Sequence, residues 1–390
     1  MPPSRSSVTP TGGARSRPLE LERSSACKAA LRESRSLPSS EAPLNAIPLI
    51  RAAALSPYLE ALAALDVRIE PLLEKARLPP PHDLCPDALV PYQQILDFAA
   101  ACGRATGLPE LPVLAARRAE PLRLGSFGRL LARTKTLGDL LRTLTGGSFM
   151  LTNGARWWLE ESGPDVALCQ QFDRRLDLGR GDVLVVVVGF AIAALRRVLG
   201  EEYAPPEITI ARPLPLPPER LGLATTFRVT GATSIRIPRR LLATPTPFVS
   251  ALATRSADTL ATNLAQSSPV CDFVGSARQA LEQLAGTSHV PISALGEITR
   301  IPVRTLQRRF AEEGTSFSAL VEEVRFARAV RRMADPSAKL IDVAFELGFS
   351  DPAHFTRAFR RWAGVSPREF RRAQALAAGP PSLRAAAGGN

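Results

Sequence analysis

The segment from residue 341 to residue 372 places the strongest constraint on the fold, because its helix starts and stops define a tightly turned helical unit. Val343, Ala344 and Leu347 recur at one-turn spacing, so they share one apolar face of a first helix. Gly348 is predicted to end that helix, since the residue after a helix C-terminus often needs a positive φ. The chain is therefore expected to turn sharply at this glycine.

A second helix is predicted directly after this turn. Ser350 or Asp351 can accept hydrogen bonds from its first backbone amides, and Pro352 fits its first turn, where a missing N–H costs nothing. Three aromatic residues form the buried side: Phe355, Phe359 and Trp362. Four basic residues occupy the other side: His354, Arg357, Arg360 and Arg361. The alternative is an ordinary surface helix with solvated arginines. We disfavour it because the caps, the apolar side and the basic side all indicate the same helix-turn-helix arrangement.

A third helix is predicted to begin after Gly364. The sequence Ser366-Pro367-Arg368-Glu369 has the pattern of a capping box with proline at the first helical position. In such a box the serine and glutamate side chains satisfy each other's backbone amides. The whole segment is thus expected to form a compact helix-turn-helix unit.

Residues 292 to 314 contain a weaker copy of the same pattern. Three aliphatic residues mark a support helix and a turn: Leu295, Ile298 and Ile301. In the next helix Leu306 and Phe310 form the buried side, and four polar residues are exposed: Arg304, Gln307, Arg308 and Arg309. The chain is therefore predicted to contain two related units.

A long helix is predicted between the two units. Thr315 or Ser316 caps its start, and Asp335-Pro336 follows its end near Met333. Leu320, Val324 and Ala327 are expected to mark its inner stripe. Two such units on one rigid helix are expected to lie on one face of a DNA duplex, about one helical turn or ~10 bp apart.

At this point the sequence resembles the AraC/XylS family of bacterial transcription regulators. The resemblance covers roughly a hundred residues and is carried by two motifs, "RTLQRRFAEEGTSFSALVEEVRFARAV" at Arg304 to Val330 and "IDVAFELGFSDPAHFTRAFRRWAGVSPREFRR" at Ile341 to Arg372. It implies an all-α DNA-binding domain with two helix-turn-helix motifs joined by a long helix. The family's base-contacting positions fall on six residues: Arg304, Gln307, Arg308, Ala353, His354 and Arg357. Three further arginines resemble phosphate contacts: Arg309, Arg360 and Arg361.

The residue types at these positions suit DNA. Arg can hydrogen-bond guanine O6 and N7, and Gln can hydrogen-bond adenine N6 and N7, in both cases through two bonds. The first unit departs from the family pattern at Gly296, Thr299, Arg300 and Pro302. Because Gly in a helix costs about 1 kcal/mol relative to Ala, we expect this unit to be less rigid or its helix boundaries to be shifted.

The charge of the chain agrees with a nucleic-acid partner. The formal net charge is +12 and the sequence pI is about 10.4. From residue 297 to 372, 15 Lys and Arg stand against 10 Asp and Glu, a net of +5. A basic domain gains affinity by releasing counterions from DNA, so binding should weaken steeply with salt. Solubility is the alternative explanation for part of this excess.

Residues 47 to 250 are predicted to form a mixed α+β domain. Residues 50 to 76, 92 to 106 and 136 to 144 have helical patterning, the last with Thr136 as its cap. Strands are predicted at 156–161, 166–172, 207–211, 225–229 and 234–237. The apolar run Val183 to Leu195 is too short to cross a bilayer. It predicts a buried helix, and because valine also favours strands, a strand is the alternative.

This half resembles the N-terminal effector and dimerisation domain of one branch of the same family. The resemblance is carried by "LGSFGRLLARTKTLGDLLRTL" at 124–144, "PPEITIARPLP" at 205–215 and "TTFRVTGATSIRIPRRLLATPTP" at 225–247. It implies an arabinose-binding-like effector domain without identifying the ligand. Three arginines could meet an acidic effector or be simply solvated: Arg117, Arg118 and Arg123. No effector-binding residue is therefore assigned.

The predicted organisation is an α+β effector domain at 47–250, a linker at 251–271 and the all-α DNA-binding domain at 272–374. Residues 1–46, a Ser-, Pro- and Arg-rich basic tail, and residues 375–390 are expected to be disordered. The first tail lacks the apolar core of a secretory signal. An organellar transit peptide and an overextended translation start are the alternatives for it.

No enzyme motif stands out in the sequence. We find no phosphate loop, nucleophile elbow, metal-ligand spacing or paired catalytic carboxylates, so no cofactor, metal site or catalytic residue is predicted. Five scattered cysteines fit a reducing cytoplasm. The expected partners are promoter DNA, a small-molecule effector, a second copy of the chain and RNA polymerase, with no membrane. The alternatives are an enzyme domain fused to an AraC-like tail, and a purely architectural DNA binder.

Overall fold

The computed structural model describes residues 46–176, 181–214, 217–248, 257–284 and 290–378. Within these ranges, an α+β region up to residue 248 precedes an all-α region that begins at Ala257. The predicted fold class is therefore confirmed. Residues 1–45 of the predicted tail at 1–46, residues 251–256 of the predicted linker and residues 379–390 of the predicted tail at 375–390 lie outside the described residues. Ala46 is buried and residues 375–378 continue a helix, so the predicted disorder is wrong at these positions.

The described residues of the first region form seven α-helices. They are α1 (Ser56–Ala63), α2 (Glu70–Lys75), α3 (Tyr92–Thr106), α4 (Leu111–Arg117), α5 (Gly125–Leu131), α6 (Leu137–Leu151) and α7 (Asp182–Leu199). Short 3-10 turns occur at Ala52–Leu55, Pro121–Arg123, Pro218–Leu221 and Arg239–Ala243.

Two sheets lie in the same region. A small antiparallel sheet pairs β1 (Leu49–Arg51) with β2 (Leu89–Pro91). The larger sheet has the order β3-β4-β7-β5-β6, and only β5 and β6 are parallel among its described pairs. Its strands are β3 (Ala155–Ser162), β4 (Asp165–Phe172), β5 (Glu207–Ile210), β6 (Thr226–Val229) and β7 (Thr233–Pro238). The predicted strands are confirmed, because each corresponds to one of these elements.

Several helix predictions are confirmed and others need correction. Helix α3 has the predicted limits, and the valine-rich run forms helix α7 rather than a strand. The helical patterning expected for 50–76 is confirmed by α1 and α2 and is wrong at the start of the segment, where β1 and a 3-10 turn lie. Thr136 caps α6 through a capping box, as predicted. However, the helix continues beyond Leu144 to Leu151.

Glycine explains why helix α6 is longer than the sequence predicts. Gly147 lies in the last part of this helix, where an added Cβ would lie 3.0 Å from the Phe127 ring. The glycine therefore permits close packing against the neighbouring helix α5 instead of ending α6. Glycine in a helix is unfavourable in isolation, but tertiary packing can override that preference.

Helix α7 separates two hydrophobic clusters of the first region. Val183 and Val186 belong to the cluster around α1, α3 and α4, whereas Val188 and Ile192 belong to the cluster beneath the large sheet. A helix that is apolar on most of its surface is expected to be buried in this way. Among the described residues, every helix is too short or too polar to traverse a lipid bilayer.

The second region consists entirely of helices. They are α8 (Ala257–Gln266), α9 (Phe273–Leu284), α10 (Ile292–Thr299), α11 (Val303–Glu312), α12 (Phe317–Met333), α13 (Leu340–Glu346), α14 (Pro352–Ala363) and α15 (Pro367–Ala378). Helix α8 occupies part of the segment expected to be a linker. Its Leu264 is 2% exposed and packs into the cluster beneath the large sheet.

The first region also contributes to the core of the second. Ile47 and Leu49 are buried among the apolar residues of α9 to α12. The backbone amide of Ile47 donates to Oγ of Ser276 on α9 at 2.8 Å. Asn153 donates from Nδ2 to the carbonyl of Val270 at 2.7 Å, just before α9. The two regions are therefore packed together through these residues.

Candidate DNA-binding surface

The second helix-turn-helix unit is formed by α13, a turn and α14. Gly348 has a φ of 79° in the turn, as the sequence predicts. Asp351 caps α14, because its Oδ1 accepts from the amide of Ala353 at 2.8 Å. Of the two candidate caps, Asp351 is therefore the one used. Ser366 and Glu369 form the predicted capping box of α15 through bonds of 2.8 and 3.3 Å.

Aromatic packing fixes the orientation of α14. Phe355 and Phe359 are at most 1% exposed, whereas Trp362 is half-buried. The Phe359 ring lies 5.4 Å, centroid to centroid, from Phe326 of α12 and from Phe370 of α15. Tilted and edge-on aromatic contacts of this kind favour defined ring orientations. The basic side of α14 therefore has to face away from the core.

The side chains expected to contact DNA from α14 are at the surface. Ala353, His354 and Arg357 are exposed, and so is Arg360. Among the described residues Arg357 and Arg360 have no salt bridge. The fifth residue, Arg361, is exposed but pairs with Glu322 of α12: its Nη2 lies 2.6 Å from Oε1.

The first helix-turn-helix unit, formed by α10 and α11, has the same division into two sides. Leu306 and Phe310 are buried, whereas Arg304, Gln307 and Arg308 are exposed. Arg304 has no ion pair with a described residue. Two other arginines of α11 contact neighbouring residues. Nη1 of Arg308 lies 3.8 Å from Oε1 of Glu312 one turn later, and the guanidinium of Arg309 lies 5.5 Å from the centroid of the Phe273 ring.

The unusual residues of the first unit are accommodated by its turn. Arg300 caps α10 in the left-handed region, with a φ of 57°. The turn brings the carbonyl oxygen of Ile301 to 2.9 Å from the position that a Cβ on Gly296 would occupy. A side chain at residue 296 would therefore crowd this carbonyl. The helix spans Gly296 without interruption, from Ile292 to Thr299.

Helix α12, the connecting helix, holds the two units on opposite faces. Leu320 and Val324 are buried in the core of the first unit, and Ala329 and Met333 in the core of the second. Since each residue advances about 100° around a helix, the nine positions from Leu320 to Ala329 rotate the buried face by about 180°. Ala327 is exposed, contrary to prediction. It lies on the same helical face as Leu320 and Val324, but beyond the end of the core of the first unit.

Ion pairs and hydrogen bonds brace the connecting helix against its neighbours. Glu322 accepts from Arg361 and also from Nε1 of Trp362, the latter at 3.2 Å. Arg332 bonds both carboxylate oxygens of Glu346 on α13, and this arginine holds the pKa of Glu346 below its usual value. Ser316 caps the start of α12, as one of the two predicted alternatives. These contacts fix the second unit relative to α12.

Sequence reasoning missed a buried arginine that joins the two regions. Arg51 is 1% exposed, and its guanidinium donates to the carbonyls of Met150, Asp87, Leu264 and Ser267. Burial lowers the pKa of this guanidinium. Two of the carbonyls come from the last turns of α6 and α8, which have no partner within their helices. The basic residue in "LIRAAAL" carried no sequence signal for such a role.

The described residues contain no cluster of His, Cys, Asp or Glu that could hold a metal ion. Four of the five cysteines are described, and all four are free thiols: Cys85, Cys102, Cys169 and Cys271. Burial raises the pKa of Cys102 and of Cys169 to about 12. These two thiols are therefore protonated at neutral pH and poor nucleophiles.

The geometry defines a class of protein. The basic helices α11 and α14 each pack against a small core of aromatic and aliphatic residues, and the connecting helix α12 joins the two cores. This is a double helix-turn-helix DNA-binding domain behind an α+β domain, and comparison with known proteins agrees. Residues 295–373 match a helix-turn-helix domain, and residues 67–246 match the N-terminal arabinose-binding domain of AraC transcription regulators. The chain belongs to the AraC-type transcription regulators.

Individual relatives resemble mainly the DNA-binding domain. An uncharacterized HTH-type transcriptional regulator of Mycobacterium tuberculosis is 44% identical over 77 residues, 20% of this chain and 22% of the relative. The HTH-type transcriptional regulator VirS of the same species is 38% identical over 98 residues, 25% of this chain and 28% of VirS. The matches thus span about a quarter of these relatives.

Among solved structures, the transcriptional regulator CdpR from Pseudomonas aeruginosa is 20% identical to this chain. The alignment covers 82% of this chain and 98% of that chain, with a TM-score of 0.38.

Proposed function

We propose that this chain is a sequence-specific DNA-binding transcription regulator, and that a small-molecule effector bound by its N-terminal domain alters DNA binding or promoter activation. The observation that carries the proposal is the pair of exposed polar faces on α11 and α14. Arg304 and Arg357 lie on these faces without an ion pair among the described residues. Their donors are therefore available to another molecule.

Six residues are proposed to contact bases. On α11 they are Arg304, Gln307 and Arg308, and on α14 they are Ala353, His354 and Arg357. Their exposure, with the apolar side of each helix held in a core, supports this role. The two-bond contacts of Arg with guanine and of Gln with adenine would give the sequence preference.

Three arginines are proposed to contact phosphates: Arg309, Arg360 and Arg361. Such contacts position a protein on the duplex without reading its sequence. Arg309 packs over Phe273 and Arg361 bonds Glu322, so neither side chain is free to move widely. Arg360 is exposed. Together they would contribute to a steep dependence of binding on salt.

The experiment that tests DNA binding is selection of bound sequences from random DNA with the full chain, followed by footprinting in a salt series. We expect one preferred sequence with protection in two successive major grooves. A variant carrying Arg304→Ala and Arg357→Ala should lose the sequence preference and keep weak, salt-sensitive binding. Uniform binding to all sequences by the unaltered chain would contradict the proposal.

The effector role is supported by the match of residues 67–246 to an arabinose-binding domain. A thermal-shift screen of the full chain against sugars, amino acids, fatty acids and small aromatic compounds tests it. Saturable stabilisation without chemical change of the compound supports a sensor. Formation of a product would instead support the alternative in which the N-terminal domain is an enzyme.

The remaining partners follow from the family resemblance. We propose a homodimer formed through the N-terminal domain, contact with RNA polymerase at the promoter, and a cytoplasmic location. The free thiols of the described cysteines agree with a reducing compartment. Light scattering during size-exclusion chromatography tests the dimer: a mass of one chain at micromolar concentration would contradict it.

A further inference from the structure

A cleft lies between the effector domain and the first helix-turn-helix unit. Its volume is about 320 Å³, and it is open to solvent on one side. The effector domain contributes residues from α2 and α3 and the turn after α2, and the DNA-binding domain contributes residues at the end of α10. The lining consists of Lys75, Ala76, Arg77, Gln94, Asp97, Glu297, Ile298 and Arg300.

Two ion pairs cross the cleft in opposite senses. Arg77 of the effector domain pairs with Glu297 of α10. Asp97 of α3 accepts from Arg300, with Nη2 and Oδ1 2.8 Å apart. Both arginines are more than half exposed, at 55% and 65% of the side chain. Exposed ion pairs contribute little to stability, so a ligand can rearrange these two pairs at a modest cost.

One buried acceptor in the cleft is left without a hydrogen bond. Gln94 is 3% exposed, and its Nε2 donates to the carbonyls of Ala76 at 3.2 Å and of Arg77 at 2.7 Å. These two carbonyls fix the orientation of the amide, because the reverse orientation would place Oε1, which is an acceptor, against two other acceptors. Oε1 of Gln94 therefore points elsewhere, and no described residue donates to it. A buried unsatisfied acceptor is costly, so a donor from a ligand would be favoured there.

A cation in the same cleft is also available. Lys75 is exposed in the last turn of α2, and no described carboxylate forms an ion pair with it. The groups beside the cleft without a partner among the described residues are the exposed ammonium of Lys75 and Oε1 of Gln94, which is covered in this structure, so that a ligand reaches it only when side chains lining the cleft shift. The ammonium of Lys75 requires an anion, and Oε1 of Gln94 requires an N–H or O–H donor.

We propose that this cleft binds a small organic acid that carries a hydroxyl or amino group. The carboxylate pairs with Lys75, and the hydroxyl or amino group donates to Oε1 of Gln94. Ile298 supplies apolar contact for the carbon skeleton. This inference rests on the proposed effector response and adds the site and the chemical class of the effector.

The position of the cleft explains how such an acid would act on DNA binding. A bound molecule touches Lys75 and Gln94 on one side and Ile298 on the other, so it favours one position of α10 against α2 and α3. A ligand shifts a conformational equilibrium only by its difference in affinity for the two states. DNA and the acid should consequently change each other's affinity by the same factor.

The experiment uses the full chain and six matched acids in calorimetric titrations. Propionate, lactate and alanine share three carbons, and succinate, malate and aspartate share four. Within each set only the second and third carry a donor. We expect at least one donor-bearing acid to bind saturably, and to bind at least tenfold more tightly than the donor-free acid of the same length. Comparison of lactate with alanine, and of malate with aspartate, distinguishes hydroxy acids from amino acids.

Two lysine variants place the binding in the cleft. Lys75→Ala should weaken binding of the best acid at least tenfold, while Lys135→Ala, a matched change of an exposed lysine outside the cleft, should leave it unchanged. Both variants should keep the melting temperature of the unliganded chain, since each removes only an exposed side chain. Equal binding of donor-bearing and donor-free acids, no binding of any of the six, or equal affinity in both variants would overturn the proposal.

Failure here is distinguishable from failure of the effector role itself. If a compound from the wider screen stabilises the chain and alters DNA affinity equally in the Lys75→Ala variant, the sensor role stands and the cleft is not its site. If no compound alters DNA affinity, the sensor role fails as well.

Discussion

Arg361 donates from Nη2 to Oε1 of Glu322 at 2.6 Å and so ties α14 to the connecting helix α12. The same glutamate accepts from the indole of Trp362 through its other oxygen. One carboxylate thus holds two neighbouring residues of α14. This exposed contact adds to the buried packing of Phe359 on Phe326, which orients α14 against the connecting helix.

The first prediction concerns Arg361. Because Arg361 is proposed to touch a phosphate, Arg361→Ala should weaken binding to all sequences similarly and lower the salt slope by about 1. Filter binding at several salt concentrations, on the selected operator and on unrelated DNA, measures both effects. Arg228→Ala, which removes an exposed arginine of the effector domain paired with Glu207, serves as the control. A loss confined to the operator would show that Arg361 reads sequence instead.

The second prediction concerns Arg357. As a base contact, Arg357→Ala should cost about 1–3 kcal/mol on the preferred sequence and relax the preference at one position. Quantitative footprinting on operators altered at single positions tests this. Equal small losses on every sequence would contradict the assignment of this face to the bases.

The third prediction tests the core beneath α14. Phe359 is fully buried, so Phe359→Ala should lower the free energy of unfolding by about 3–5 kcal/mol. Phe345 is 51% exposed on the neighbouring helix α13, and Phe345→Ala should cost less than about 1 kcal/mol. Thermal melts followed by circular dichroism compare the two. Similar losses for both variants would show that the sides of these helices are wrongly assigned.

The fourth prediction concerns Arg51 and its role in holding α8 in position. Arg51→Met keeps much of the side-chain volume but removes the donor of two buried and two partly buried hydrogen bonds to carbonyls, so the free energy of unfolding should fall by about 3 kcal/mol. Hydrogen exchange should rise at the ends of α6 and α8 first, because their last carbonyls bond this side chain. Unchanged exchange at both helix ends would mean that the contact does not hold α8 in place.

Sequence reasoning succeeded where local chemistry determines the structure. The turn at Gly348, the cap at Asp351 and the capping box at Ser366 each depend on a few neighbouring residues, and all three occur as predicted. The buried positions of Phe355 and Phe359 follow from helical spacing alone. For the same reason the exposed faces of α11 and α14 can be assigned residue by residue from the sequence.

Long-range packing explains what the sequence did not reveal. Ala327 shares the helical face of Leu320 and Val324, and only the shift to the second core leaves it exposed. The bonds of Arg51 join residues about 100 and 210 positions apart. The cleft beside Gln94 requires two domains to meet. No local pattern encodes such contacts, although the unusual Arg300 marked the turn where one of them lies.

The most direct test of the paired DNA-contacting helices changes the spacing between the two parts of the selected operator. Because α12 fixes the distance and angle between α11 and α14, both helices should reach bases only on one face of the duplex. Inserting 5 bp between the two protected grooves rotates them by about half a turn, and we predict a loss of affinity of at least about tenfold, with protection of one groove only. Unchanged affinity and continued protection of both grooves would contradict the claim that one rigid helix presents two reading helices to the same DNA.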